Sequence, residues 1–415
     1  MKNSRRVVIT GLGIVSPIGI GKVAFWENLI AGQSGVDYIT AFDPSPFPCQ
    51  VAAEVKDFNP LDFISARRLK TMSRFSQFAV AATRLALDDA NLSITASLSE
   101  RTGICWGTSV AGLEVAVAGV QDFIKDGVGV ITPWTALEYP PHASSSCLAI
   151  EFGIKGPALA VSSNCCTGID AIHAASQQIA GGRVKVALAG ASDAPIFPMI
   201  FDSFCTLGAL TRRNDEPKKA SRPYDLLRDG LVLAEGGATL VLEDLDFAVN
   251  RGAVIYGEVL GHDSASEAIG MRKGDLSGKV MARAIDGAIK DADLSPPDID
   301  HINAHGSSLP DYDICDTRAF KEALGDHAYR VPITSIKSMM GQPVSVAGVL
   351  QTASACLSLR DQLVPPTINQ EVSDPQCDLD YVANAFRVAR VKHVLINGHS
   401  FGGSVAALVI GRLDH

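Results

Sequence analysis

The chain has 415 residues, of which 47% are hydrophobic and 20% charged, and its formal net charge is −9. This length supplies enough core for two or more domain-sized units, and the composition is ordinary for a globular protein. The acidic balance excludes nucleic acid and an anionic membrane as the main partner. We expect no membrane span, because no apolar run is long enough, and no signal peptide, because glycine and proline interrupt the segment at 7–19 and no cleavage site follows. The nine cysteines form no CxxC pair, which favours a reducing, cytoplasmic setting.

The first half of the chain alternates predicted strands and helices. Buried strands are predicted at 6–15, 102–107 and 184–189, and helices at 62–92 and 167–180. Glycine and proline turns separate these elements, which is typical of an α/β fold.

The second half repeats this order of elements. A turn, a small-residue helix and a strand at 341–364 resemble the same sequence of elements at 164–188. We therefore predict a duplicated α/β unit with halves at 1–250 and 251–415, packed as one body because no linker separates them. The further predicted elements are strands at 254–261, 301–304, 394–397 and 405–410, and helices at 277–292 and 348–359.

Cys165 lies in a polar turn at 163–166 that runs directly into the predicted helix at 167–180. Unpaired N–H groups and the helix dipole lower the pKa of a thiol at such a position and stabilise an oxyanion. We therefore predict Cys165 as a nucleophile and expect Cys166 to fill core space. Core packing is the competing interpretation for Cys165 too.

His305 follows the predicted strand at 301–304 and precedes a glycine turn. A histidine at a strand end can face a cleft and move protons near neutral pH, although a structural histidine fits the segment equally well. His301 lies four residues earlier, but on a strand and without an intervening glutamate the pair is not a zinc motif. We expect no metal site. Lys337, before another small-residue helix, is expected to be buried and paired.

The segment at 398–402 reads Gly-His-Ser-Phe-Gly and matches the nucleophile elbow of α/β-hydrolases. That fold needs an acid and then a histidine downstream of the serine, and only fifteen residues follow Ser400. The stretch after it also reads as a strand and not as a helix. We therefore exclude the hydrolase interpretation.

Ordered segments along the whole chain resemble the ketosynthase family of the thiolase fold. They are RRVVITGLGIVSPIG at 5–19, the nucleophile segment at 156–168, the charged signature at 221–236, Asn303-Ala304-His305-Gly306, Lys337-Ser338-Met339, PPTIN at 365–369 and Phe401-Gly402-Gly403. The resemblance implies a five-layered αβαβα fold of two duplicated halves, and an acyltransferase of the β-ketoacyl-carrier-protein synthase type.

The resemblance also implies roles for individual residues. Cys165 accepts an acyl group from a carrier-protein thioester, and its backbone N–H forms the oxyanion hole with that of Phe401. His305 polarises the malonyl thioester while carbon dioxide leaves. Lys337 and Gln342 complete the implied catalytic set, Lys337 by holding the electrostatics of the site with Glu235. The supporting residues implied in the same way are Glu235, Asp313 and Asp316.

Expectations for the substrate and partners come from the same resemblance. Phe401 gates the acyl pocket, Val110 lies near its far end, and Ser307 and Arg272 belong to the same pocket. Substrates arrive on the phosphopantetheine of an acyl carrier protein, so no separate cofactor is expected. We expect a homodimer or a heterodimer with another ketosynthase-fold subunit, joined near the Cys105 strand and the Ser163 strand. The basic cluster expected to face the acidic carrier protein is Arg67, Arg68, Lys70 and Arg74.

Several positions depart from the family pattern. Gln342 stands where elongating synthases carry a second histidine, Leu309 replaces a small hydroxyl residue, Arg272 replaces a smaller residue, and Ser-Val at 404–405 replaces Thr-Asn. A glutamine N–H can donate a hydrogen bond to an enolate, whereas a missing donor costs ~10²–10³ in rate.

Three hypotheses follow for the function. The first is a condensing enzyme that uses Cys165, His305 and Gln342. The second is a chain-length-setting partner subunit of an active ketosynthase, although the best-known subunits of that kind lack the cysteine. The third is an acyltransferase that loads Cys165 without decarboxylating a malonyl group.

Overall fold

Two sheets of five principal strands each, built on one plan, form the core of the protein, whose computed structural model describes residues 5–413. A short strand at Gly19–Ile20 also pairs with the first strand of the first sheet. The first sheet contains β1 (Val7–Ser16), β2 (Thr102–Gly107), β3 (Ala158–Val161), β4 (Val186–Asp193) and β5 (Gly236–Asp244). The second contains β6 (Gly257–Ser266), β7 (His301–Asn303), β8 (Ile333–Thr334), β9 (His393–His399) and β10 (Ser404–Gly411).

The order of strands is β3-β2-β4-β5-β1 in the first sheet and β8-β7-β9-β10-β6 in the second. Each half thus arranges its strands in the order third, second, fourth, fifth, first. The directions of pairing also match: the fifth strand is antiparallel to its two neighbours, and the other pairs are parallel. A short antiparallel contact between β1 and β6 joins the two sheets edge to edge. The predicted duplication is confirmed, while the boundary at residue 250 stays a prediction.

Helices cover both outer faces and fill the space between the sheets. Those of nine or more residues within 5–413 are α1 (Lys22–Ile30), α2 (Arg74–Asp89), α3 (Leu113–Asp126), α4 (Ala143–Phe152), α5 (Thr167–Ala180), α6 (Pro198–Leu207), α7 (Lys279–Asp291), α8 (Pro310–Leu324) and α9 (Ala347–Asp361). The shorter ones are Ala66–Leu69, Ala96–Ser99, Thr135–Glu138, Leu245–Asn250 and Lys337–Met340. None of these is long and apolar enough to cross a bilayer.

The layers follow from which helix packs on which sheet. Helices α2 and α4 lie outside the first sheet, α7 and α8 lie outside the second, and α5 and α9 contact each other between them. A Cβ on Gly168 would lie 2.8 Å from the carbonyl oxygen of Ser345, and one on Gly348 would lie 2.7 Å from the backbone nitrogen of Ile169. The two central helices meet this closely because both positions are glycine. The predicted five-layered αβαβα fold is confirmed.

The predicted helix at 62–92 is wrong as a single helix. The chain forms a one-turn segment at Pro60–Asp62, a short helix at Ala66–Leu69 and then α2 from Arg74. The helix is interrupted before α2 because the backbone N–H and the hydroxyl of Ser73 both donate hydrogen bonds to the carboxylate of Glu138. A tertiary contact therefore overrides local helix propensity at this point.

Two further predictions in the second half need adjustment. The strand predicted at 254–261 begins later, at Gly257, and continues to Ser266. The turn and helix of the predicted repeat at 341–364 are present, but Leu363–Val364 pairs with Arg387–Val388 in a separate two-stranded sheet. The strand that matches β4 in the sheet order is β9.

Candidate active site

Cys165 lies in the one-turn segment Asn164–Cys166 that leads directly into α5. Asn164 has a φ of 57°, so the backbone turns sharply just before the thiol. The backbone N–H groups of Cys165 and Phe401 both approach the Cys165 sulfur, and the side-chain oxygen of Asn164 lies 3.6 Å from it. The turn between β9 and β10, which carries Phe401, therefore faces the nucleophile segment.

Ser400 ties these two turns together. Its hydroxyl accepts a hydrogen bond from the backbone N–H of Cys166 at 2.9 Å and donates to the carbonyl of Ser163 at 2.8 Å. The serine of the G-x-S-x-G match is thus fully buried and engaged in structural contacts. This agrees with the exclusion of a hydrolase elbow.

Burial raises the pKa of Cys165 to about 12. The charge of Lys337 and the two backbone N–H groups lower this pKa, but they do not outweigh desolvation. The lowered pKa predicted from the helix N-terminus is therefore wrong for the substrate-free site, because the closed site excludes water from the sulfur. The resting nucleophile is a neutral thiol.

His305 lies two residues after β7 with only 2% of its surface exposed. The backbone N–H of His399 donates to its Nδ1 at 3.3 Å, which leaves the ring proton of a neutral imidazole on Nε2. Burial, followed by the charges of Lys337 and His399, lowers the pKa of His305 well below its usual range. His305 is therefore a neutral hydrogen-bond donor through Nε2.

Two buried carboxylates of α8 hold the turn that follows His305. Asp316 accepts the N–H of Gly306 at 2.8 Å, and Asp313 accepts the N–H of Ser307 at 2.9 Å. Asp313 and Asp316 thereby hold the backbone next to the His305 imidazole. The hydrogen bond to Asp313 also keeps Ser307 buried.

Lys337 is fully buried at the start of its short helix. Its ammonium donates to the carbonyl of His305 at 2.6 Å and approaches the side-chain oxygen of Gln351 at 3.4 Å. Burial lowers the pKa of Lys337 to about 8. Gln351, which sequence reasoning missed, also donates to the carbonyls of Asn303 and Asn397, so it joins the ends of β7 and β9 to Lys337.

Gln342 is buried but its side chain stands apart from this network. Its backbone pairs with the neighbouring segment, donating to Val232 at 2.8 Å and accepting from Ala234 at 3.0 Å. No group in the part of the chain described, residues 5–413, donates to its buried Oε1. The amide is therefore held in place by its backbone and retains hydrogen-bonding capacity.

Val110 is positioned by Asp193, a residue that sequence reasoning missed. The carboxylate of Asp193 accepts the N–H of Val110 at 2.9 Å and that of Ser345 at 3.1 Å. Burial raises the pKa of Asp193, while these hydrogen bonds lower it. Asp193 thus joins the end of β4 to the one-turn segment before α9 in the other half.

Phe401 is half-buried and packs edge-to-face against Tyr312, with ring centroids 5.6 Å apart. The segment that carries Arg272 lies over this turn, because the N–H of Gly402 donates to the carbonyl of Met271 at 2.9 Å. Arg272 itself is exposed beside Gly208 at the end of α6. The predicted pocket residues Phe401 and Arg272 therefore lie on segments that contact each other.

Glu235 was expected to hold the electrostatics of the site together with Lys337, but its charge is paired elsewhere. Its carboxylate forms a two-point ion pair with Arg74, at 2.6 and 2.8 Å, and accepts the N–H of Val55 at 2.9 Å. Arg74 also departs from the expectation that it faces the carrier protein, because Glu235 neutralises its charge. The ion pair forms because α2 begins at Arg74 and faces the segment before β5.

The rest of the predicted basic cluster lies on and just after the short helix Ala66–Leu69. Arg67 and Lys70 are exposed, whereas Arg68 is half-buried with its Nε 3.8 Å from a carboxylate oxygen of Glu151. Two of the four cations therefore remain available to an external partner.

Comparisons with known proteins agree with this fold. The profile described as "Beta-ketoacyl synthase, N-terminal domain" matches residues 4–248, and "Beta-ketoacyl synthase, C-terminal domain" matches residues 256–371. The chain is 38% identical over 409 residues to the 3-oxoacyl-[acyl-carrier-protein] synthase 2 of Coxiella burnetii, covering 99% of both chains.

Two solved structures are similar over 99% of this chain and 100% of theirs, each with a TM-score of 0.92. One, at 34% identity, is a type II PKS acyl-carrier protein in complex with its ketosynthase bound to the hexaketide. The other, at 33% identity, is the ishigamide ketosynthase/chain length factor. The chain belongs to the β-ketoacyl synthase family. The predicted family, acyltransferase class and ketosynthase function are confirmed.

Proposed function

We propose that this ketosynthase takes an acyl group from a carrier-protein thioester onto Cys165 and condenses it with malonyl-carrier protein. The observation that carries the proposal is the convergence on one sulfur of two backbone N–H groups, from Cys165 and Phe401, beside His305 and Lys337. Such N–H groups stabilise the oxyanion that forms when a thioester is attacked.

The first half-reaction transfers the acyl group. The Cys165 thiol loses its proton and attacks the thioester carbonyl, and the N–H groups of Cys165 and Phe401 hold the resulting oxyanion. The pantetheine thiol then leaves with a proton. Because the thiol is neutral at rest, it ionises as it attacks, and the positive charge of the buried Lys337 favours the thiolate.

The second half-reaction forms the new carbon–carbon bond. The bond between the α-carbon and the carboxylate of the malonyl group breaks, carbon dioxide leaves, and the electron pair becomes an enolate. The Nε2–H of His305 donates to the enolate oxygen, as its fixed tautomer allows. The enolate carbon attacks the acyl carbonyl on Cys165, and the sulfur leaves.

Gln342 supplies the second donor to the enolate in this proposal. Its side chain is buried, it follows Lys337 closely in the chain, and its amide nitrogen is the group that can donate. The Gln342→Ala variant is expected to lose about 10²–10³ in the rate of carbon dioxide release from malonyl-carrier protein. Gln342→His is expected to retain most of the rate, because a ring N–H replaces the amide donor. An unchanged rate in Gln342→Ala would remove Gln342 from the mechanism.

The remaining pocket residues have assignments in the same proposal. Phe401 gates the entrance, Val110 lies near the far end of the acyl pocket, and Ser307 and Arg272 border the pantetheine path. Support comes from the contact of the Arg272 segment with the Phe401 turn and from the fixing of Val110 by Asp193. Substrates arrive on carrier-protein pantetheine, and the reaction uses no separate cofactor.

Two surfaces fit the expected partners. The exposed cations Arg67 and Lys70 are suited to an acidic carrier protein. Strand β3 ends the first sheet, pairs only with β2 among the described strands, and exposes 48% of Leu159. An exposed edge of this kind can join a second subunit. We propose a dimer through this edge with a copy of the chain or another ketosynthase-fold subunit.

A cytoplasmic location also belongs to the proposal. All nine cysteines are buried free thiols. A reducing compartment keeps such thiols free, which supports this location.

A further inference from the structure

Three side chains with metal-binding atoms meet beside the turn that carries Phe401. Glu267 directly follows β6, Cys315 lies within α8, and His399 ends β9. One potential ligand atom of each lies within 4.8 Å of the other two, and all three residues are buried. The cluster thus rests on three regular elements, which hold side chains more firmly than loops do.

The polar atoms of this cluster lack ordinary partners. The side chains of Glu267 and His399 are 0% exposed, and Oε1 and Nε2 approach to 3.0 Å. Within residues 5–413, neither carboxylate oxygen and neither ring nitrogen forms an aligned hydrogen bond. Buried polar groups are almost always hydrogen-bonded, and a buried carboxylate without donors is costly. A bound cation would satisfy both groups at once.

The corresponding place in the first half shows what a satisfied site looks like. Asp193 ends β4, the strand that matches β9 in the sheet order. Its carboxylate accepts hydrogen bonds from Thr108, Val110 and Ser345. At the end of β4 in the first half, hydrogen-bond donors of the protein therefore satisfy the buried polar group. At the end of β9 in the second half, the buried polar groups have no such donors within residues 5–413.

We propose that Glu267, Cys315 and His399 bind one zinc ion. Thiolate, imidazole and carboxylate are the ligands that Zn²⁺ takes in proteins, with bonds of about 2.0–2.3 Å. Tetrahedral geometry with such bonds places ligand atoms roughly 3.3–3.8 Å apart, so small side-chain shifts suffice. On binding, the Cys315 thiol releases its proton to solvent, and water completes the coordination.

A metal at this position would pin the Phe401 turn. The N–H of Glu267 donates to the carbonyl of Gly403 at 2.8 Å, and His399 pairs with Val405 across the turn. The ion would join both ends of this turn to β6 and to α8. Its role is structural: it would hold the turn that carries Phe401 without contacting the reacting atoms.

The test uses the full-length protein with any affinity tag removed and Co²⁺ as the probe in place of Zn²⁺. Metal content is measured by elemental analysis, and Co²⁺ binding by the thiolate-to-cobalt charge-transfer band and the visible bands of tetrahedral cobalt. We expect about one metal ion per chain and both sets of bands. The variants are Cys315→Ser, the isosteric Glu267→Gln, and Cys377→Ser as a control with a buried thiol outside the cluster.

The variants separate a specific site from other thiol binding. Cys315→Ser is expected to lose the charge-transfer band. Glu267→Gln is expected to lower the affinity for Co²⁺ by more than about 100-fold, because loss of an outer hydrogen-bond partner alone costs roughly 10–100-fold. Cys377→Ser is expected to match the unmodified protein. Absence of bound metal and bands in the unmodified protein overturns the proposal in favour of a metal-free Glu267–His399 pair. A charge-transfer band that survives in a folded Cys315→Ser also overturns it.

Discussion

The two halves of the chain build the same turn twice and use it for different purposes. Cys165 lies second in the one-turn segment before α5, and Ser345 lies second in the one-turn segment before α9. The residue before each has a positive φ, 57° at Asn164 and 48° at Val344. The backbone therefore presents both side chains in the same way.

The surroundings decide what each side chain does. The hydroxyl of Ser345 donates to Asp193, which also takes the N–H of Ser345. Cys165 instead meets two backbone N–H groups and the field of Lys337, and no acidic side chain accepts a hydrogen bond from its thiol within residues 5–413. The first arrangement is closed, whereas the second retains donors for a substrate oxygen. A duplicated fold thus supplies the geometry, and the neighbouring groups supply the chemistry.

Replacing the two matched residues gives the largest expected difference. Cys165→Ala removes the nucleophile, so acyl loading and condensation are both expected to disappear. Ser345→Ala removes one charge-assisted hydrogen bond to Asp193, so it is expected to cost about 1–3 kcal/mol of stability and leave acyl loading in place. Acyl transfer and denaturant unfolding measure these effects. Cys166→Ser, next to the nucleophile, is the control for loading.

The comparison would break if Ser345→Ala lost acyl loading while remaining folded. In that case the second turn would take part in the chemistry. Continued loading in Cys165→Ala would contradict the assignment of the nucleophile.

The pH dependence of acyl loading gives the second-largest expected difference between the two turns. Burial lowers the pKa of Lys337 to about 8, so its ammonium is charged below that pH and neutral above it. The rate of acyl loading is expected to rise about tenfold per pH unit below pH 8 and to level off above it, because further ionisation of Cys165 is then offset by loss of the Lys337 charge that favours the thiolate. Stopped-flow loading between roughly pH 6.5 and 9.5 measures this change of slope.

Lys337→Met provides the matched comparison, since it removes the titrating group and keeps an apolar stem. This variant is expected to load slowly, with a rate that continues to rise above pH 8. A levelling-off near pH 8 in Lys337→Met would assign the titration to another group.

His301 gives the smallest expected effect on activity and a measurable effect on stability. Burial lowers its pKa to about 3, against about 6.5 in the unfolded chain, so the unfolded state binds the proton first as pH falls. Stability is therefore full above pH 6.5, and on the order of 2–3 kcal/mol is lost by pH 4.5. The matching strand of the first half begins with Thr102, whose hydroxyl is hydrogen-bonded and does not titrate in this range.

Urea unfolding of His301→Leu at both pH values checks this account. The variant is expected to lose less stability on acidification than the unmodified protein, with activity unchanged at neutral pH. His393→Leu, on the neighbouring strand, serves as the control. Equal acid sensitivity in His301→Leu and the unmodified protein would contradict the assignment.

Local patterns in the sequence predict much of this fold. The predicted bounds of β2 and α5 coincide with the observed ones, because each is a continuous apolar or amphipathic run between clear turns. The helix at 62–92 fails because Ser73 is bound by Glu138, 65 residues away in the chain. No local pattern contains that contact.

The residues of the candidate site also fall into those that local sequence patterns predict and those that depend on distant contacts. Cys165 and His305 stand next to turns that the sequence marks, so their importance is visible locally. Asp193 contacts Ser345 across 152 residues, and Glu267 meets His399 across 132 residues. Their polarity was visible in the sequence, but their burial and pairing depend on the order of strands in the sheets.

Intact-protein mass spectrometry tests the central claim most directly. The chain is incubated first with acyl-carrier protein and then with malonyl-carrier protein. The account predicts an acyl adduct on Cys165 that disappears as β-ketoacyl product forms. No adduct on Cys165, or an adduct that persists while the malonyl group stays intact, would contradict it.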